Sequence, residues 1–171
     1  MTKFLLSLHV IAAILAVGPV TVAASMFPPV LRKARSAPGE TGTVATLRLL
    51  HRICRSYAAV GIAVPVFGFA TAQSLGVLTS PWLLVSMVLT AAAAVILIVV
   101  VLPQQENGLA RVEQAGREST EGGPESTEAP MTVDADQRTG ARLAMATGVF
   151  NLLWVTVTVL MIVRPGSTTG A

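Results

Sequence analysis

Four stretches without a single Asp, Glu, Lys or Arg, at residues 4–26, 57–77, 82–102 and 143–163, decide what this chain can become. Each is long enough to cross about 30 Å of hydrocarbon as a helix, which takes roughly 20 residues. Lipid offers no partner to a backbone N–H or C=O, so such segments must satisfy their hydrogen bonds internally, as helices do. The expected fold is all-α: a polytopic membrane protein, a bundle of four transmembrane helices forming a single membrane domain over residues 1–171. Composition agrees, with 53% of the residues hydrophobic and 12% charged, against roughly 25% charged in an ordinary soluble domain. Phe4, Phe27, Tyr57 and Trp82 lie at span ends, where aromatic rings sit among lipid headgroups. Only Leu78, Thr79, Ser80 and Pro81 separate the second and third spans, which must form a tight antiparallel hairpin, with Ser80 as N-cap and Pro81 at the first helical position.

The two long connections differ in chemistry. Residues 28–56 carry Arg32, Lys33, Arg35, Arg48, Arg52 and Arg55 against the single acid Glu40. Within them Val44, Leu47, Leu50 and Cys54 share one helical face, and Arg48, Arg52 and Arg55 another. Two readings fit: a basic interfacial helix lying on an anionic leaflet, or a cytosolic extension of the second span. Residues 103–140 hold eight acids, Glu106 to Asp136, among Ser, Thr, Gly and Pro. This composition offers little apolar area to offset ordering entropy and predicts a flexible acidic cytoplasmic loop.

Orientation follows from counting Lys and Arg. Ten lie in these two loops or just past them, Arg32, Lys33, Arg35, Arg48, Arg52, Arg55, Arg111, Arg117, Arg138 and Arg142, against Lys3 and Arg164 on the other side. The imbalance places both loops in the cytoplasm and both termini outside, in a bacterial inner (plasma) membrane. The net charge of +3 is thus a topology signal, with no nucleic-acid partner implied. Residues 1–24 also read as a signal peptide, with Lys3 as its charged start and Val22, Ala23 and Ala24 before a cleavage point. The span-length apolar run and the basic flank from Arg32 to Arg35 favour an uncleaved first helix.

No carboxylate or ammonium lies inside a span, which argues against a proton-driven carrier. The single cysteine, Cys54, rules out an intrachain disulfide, and no zinc cluster can be assembled. His9, about 7 Å into the first span, is the one intramembrane imidazole. Antiparallel threading brings Gln73, Asn151 and Trp154 into the same half, together with Thr71, Ser86, Thr90, Thr156 and Thr158. Two roles follow. His9, Gln73 and Asn151 hydrogen-bond across helices in a polar bundle interior, each contributing roughly 1 kcal/mol, or His9 ligates haem iron with Met87, at similar depth, as second axial ligand. A polar pore along Thr71, Thr90, Asn151 and Thr156 is a third arrangement. Pro19 and Pro65 should bend their helices locally, and Gly68, Ala72 and Gly76 offer a flat strip for close packing.

The run Leu8-His9-Val10-Ile11-Ala12-Ala13-Ile14-Leu15-Ala16-Val17-Gly18-Pro19 resembles the opening helix of an uncharacterised family of small bacterial integral membrane proteins, a domain of unknown function with four predicted helices. The likeness extends through Thr21 to Phe27 and the layout of the spans, and implies a membrane location without an activity. More distantly, Leu8-His9 followed by Gly18 resembles the first helix of copper-resistance D membrane proteins and of haem-dependent protoporphyrinogen oxidases. That resemblance implies a metal or haem site at His9. The chain departs from both at Ala16, where an aromatic is usual, and at Pro19, where a second glycine is usual. The expectation is a non-enzymatic membrane component, with the lipid bilayer and a membrane-protein partner or second copy as its contacts. The alternative is a haem-binding redox protein.

Overall fold

The computed structural model describes residues 2–37, 39–121 and 131–166, with side chains outside the description at 120, 121 and 131–138. In chain order the helices are α1 (Thr2–Ser36), α2 (Thr41–Val60), α3 (Ala63–Leu75), α4 (Pro81–Val95), a π-helical turn (Ile96–Val101), α5 (Leu102–Glu121) and α6 (Met131–Val163). There is no strand among the described residues. The chain is an all-α bundle of four rods long and apolar enough to cross a membrane: Thr2–Ser36, Thr41–Leu75, Pro81–Ser119 and Thr139–Val163.

The four apolar runs all fall on these rods, and the short hairpin is present. Gly76 ends α3 at φ 67°, the left-handed conformation a glycine adopts without strain. Ser80 starts α4 through its backbone, its carbonyl accepting from Leu83 and Leu84 N–H at 3.0 and 3.2 Å, while its hydroxyl makes no cap bond.

The long connections differ from expectation. α1 runs on to Ser36 and α2 starts at Thr41, so the expected 28–56 loop is almost entirely helix. Residues 103–121 are helical rather than flexible, and α6 is already helical from Met131; residues 122–130 lie outside the described residues. The reason is amphipathicity that bulk composition conceals. Gln105, Gly108 and Val112 turn inward on one face of α5, Glu106 and Glu118 stay exposed, and Glu113 accepts from Arg48 at 2.6 Å. Gly108 lies under Leu31 and Phe27, where a Cβ would come within 3.1 Å of the leucine side chain.

α1, α2 and α5 thus continue past the apolar segments and pack as a head at the Arg-rich end. Leu47, Leu50 and Cys54 do share a face of α2, but that face is buried in protein together with Phe27, Leu31, Ala34, Val101 and Leu143. The interfacial-helix reading therefore gives way to the extension reading.

The membrane half is looser. α3 packs on α1, α1 on α6, and α6 on α4, in a row whose outer members, α3 and α4, have no extensive packing on each other. They come together near the hairpin, where Ala72, Trp82 and Leu83 cluster with Met161, and the Arg164 guanidinium lies 5.6 Å from the Trp82 ring centroid.

Candidate functional site

Two prolines loosen the rods on either side of the gap between α3 and α4. Pro65 has no N–H to give to the Gly61 carbonyl. That carbonyl instead takes the Val64 N–H at 3.1 Å, and Ile62 N–H bonds Ala59 at 3.2 Å, a tightened turn between α2 and α3. Pro103 likewise cannot bond the Val99 carbonyl, and its ring would crowd it. The wider π turn over Ile96–Val101, directly before it, accommodates both faults.

Between these two irregular turns lies a cavity of about 150 Å³. Small side chains leave the space: Ala16 on α1, Ala58 and Gly61 at the end of α2, and Ala94 on α4. Leu97, Phe150 and Trp154 supply the larger apolar walls. Phe150 and Trp154 meet edge to face, ring centroids 6.3 Å apart at 71°. Ile62 and Ile98, also at the cavity, are 65% and 55% exposed, so the space opens sideways between α2/α3 and α4. A void of this size with apolar walls stays dry and takes apolar guests.

The polar residues expected to converge on His9 do not. His9 is half-buried and donates from Nδ1 to the Val64 carbonyl at 2.9 Å, tying α1 to α3. The carbonyl can only accept, so the hydrogen is on Nδ1. Gly68 makes room for the ring, since a Cβ there would lie 2.9 Å from Cε1. Met87, 45% exposed on α4, faces outward on a helix that packs against α6. Gln73 is exposed as well, so it is not part of a polar interior.

Asn151 does cross between helices, donating from Nδ2 to Ser25 Oγ at 3.1 Å. Its Oδ1, the Thr147 hydroxyl and Trp154 Nε1 are buried on the same face of α6 without a hydrogen bond among the described residues. The hydroxyls of Thr71, Ser86, Thr90, Thr156 and Thr158 each donate to the carbonyl four residues back on their own helix. Those donors are used locally and line no continuous polar path. No group of three or more His, Cys, Asp or Glu side chains is placed to hold a metal ion among the described residues.

In the head, buried Gln105 bridges His51 and Cys54, its Oε1 3.3 Å from His51 Nδ1 and its Nε2 3.5 Å from Cys54 Sγ. Sequence reading missed both Gln105 and the cavity. The available signal for the cavity was Pro103 closing an apolar run together with small residues at Ala58, Gly61 and Ala94.

Fold and site together define a multi-pass, all-α membrane protein with a lateral intramembrane cavity. The chain matches no protein-family model, no curated protein and no solved structure.

Proposed function

We propose that this chain is a non-enzymatic component of a bacterial inner membrane, and that its cavity receives a hydrocarbon chain from the surrounding bilayer. The observation that carries the reading is the apolar cavity of about 150 Å³ opening toward lipid past Ile62 and Ile98. Hydrocarbon is the solvent at that opening, and no Asp, Glu, Lys, Arg or His side chain lines the space. The Arg-rich head lies in the cytoplasm and the α3–α4 hairpin outside, by the excess of Lys and Arg. Reporter insertions between α1 and α2 and within the hairpin should report opposite sides; the same side for both would overturn this orientation.

Chain occupancy is tested with Trp82→Phe protein, in which Trp154 is the remaining tryptophan. Reconstituted into lipid brominated along its acyl chains, this protein should lose Trp154 emission through contact quenching. Ala94→Phe, which fills the opening, should restore it. Unquenched Trp154 in the unblocked protein would refute the reading.

Haem ligation by His9 is the second reading, favoured by one observation. With the Nδ1 hydrogen given to Val64, a neutral ring keeps Nε2 as the free lone pair, the arrangement of a metal-binding histidine. The cavity lining does not include His9, and Met87 points outward, so the geometry supports a helix tie better. A stoichiometric Soret band lost in His9→Ala would establish the haem reading, and a blank spectrum would remove it.

A further inference from the structure

We infer that the occupant is an anionic phospholipid of the leaflet on the Arg-rich side, held by Arg52 and Arg55 at its headgroup with one acyl chain in the cavity. The inference rests on the chain-binding reading above and adds the chemistry of the headgroup. Arg55 stands seven residues before Ile62, two helical turns, which on a regular helix brings both to the same face about 10 Å apart along the axis. Arg52 lies one turn further from the membrane. Both guanidinium-bearing residues are exposed.

The arginines differ in their engagement. Arg48, one turn beyond Arg52, is bound to Glu113, and Lys33 is paired with Glu40. Arg52 and Arg55 make no ion pair among the described residues. They are therefore the cations on this face of α2 left for a phosphate, which a guanidinium binds through paired N–H donors.

The depth fits a lipid. A headgroup phosphate at Arg55 starts its chains at the water interface, and half of a roughly 30 Å hydrocarbon core leaves about 15 Å for each chain. The opening at Ile62 and Ile98 lies within that reach. Tyr57, half-buried two residues beyond Arg55, and then Ala58 and Gly61, line the route inward. The Pro65-loosened turn and the π turn form the two sides of the entrance.

The test uses Trp82→Phe protein in phosphatidylcholine vesicles containing a minority of either brominated phosphatidylglycerol or brominated phosphatidylcholine. Brominated phosphatidylglycerol should quench Trp154 at lower mole fraction, by on the order of tenfold for two near-surface arginines. The preference should shrink as salt is raised and disappear in Arg52→Gln/Arg55→Gln, with quenching by brominated phosphatidylcholine retained. Equal quenching by both lipids, or a preference that survives the double substitution, would overturn the headgroup assignment while leaving chain binding intact. Quenching by neither would remove the chain reading itself.

Discussion

Leu47→Ala in α2 separates a packed head from a helix resting on lipid. Leu47 is 0% exposed and shares its core with Cys54, while Leu49, two residues away, is 56% exposed. Removing three methylene-sized groups at about 0.8 kcal/mol each gives about 2.4 kcal/mol, and the residual cavity brings the total to about 2–5 kcal/mol. Cys54 is the single cysteine and is itself fully buried, so its labelling by a maleimide requires the head to open. At tenfold per 1.4 kcal/mol, Leu47→Ala should speed labelling by about thirtyfold to a few thousandfold. Leu49→Ala should stay within about twofold, as surface substitutions cost at most about 0.5 kcal/mol. The readout is the mass shift of the native protein against time. Comparable rates for both variants would refute the buried head and return the apolar face of α2 to the membrane surface.

Other substitutions read other links. Gly68→Ala should push the His9 ring off the Val64 carbonyl and cost about 1 kcal/mol, as should His9→Leu; in denaturant titrations the double variant should cost less than the sum, and strict additivity would deny the contact. At the α1–α2 turn, the Thr43 hydroxyl and then the Lys33 ammonium hold the Glu40 carboxyl below its usual range. A depressed folded value means the contribution is complete above about 4.5, the ordinary carboxylate value, and is lost as pH falls through the folded one. Amide exchange at Thr43 and Val44 should accelerate over that acid interval, and Glu40→Gln should flatten the dependence.

The rods were legible in the sequence because crossing a membrane demands length and apolarity, and both are local. Depth was less so: His9 was expected level with Thr71 and Gln73, but it meets Val64 and Gly68, nearer the α2 end of α3. Azimuth was not legible: Gln73 and Met87 lie on outward faces, which only the packing partners decide. The partner of His9 escaped because a backbone carbonyl bears no side-chain signature. In α5, eight acids between residues 103 and 140 masked the inward spacing of Val101, Gln105, Gly108 and Val112. Averaging over faces erased the signal that a position-by-position reading retains.

The π turn also governs alignment along the third rod. Ala93, Leu97, Val101 and Gln105 are all buried at intervals of four residues. On a regular helix each such interval overshoots a full turn by about 40°, so three of them would swing the buried side by about 120°. The broad turn absorbs this rotation, which lets α4 and α5 present one continuous seam. Excising one residue from Ile96–Val101 would leave Ala93 and Gln105 eleven positions apart, three turns and about 20° on a regular helix, so the π turn would relax to α-helix with the seam kept. The third rod thus tolerates the loss of one residue at this point, whereas a gained residue would swing α5 by about 100°, although every residue in the turn is an interchangeable aliphatic.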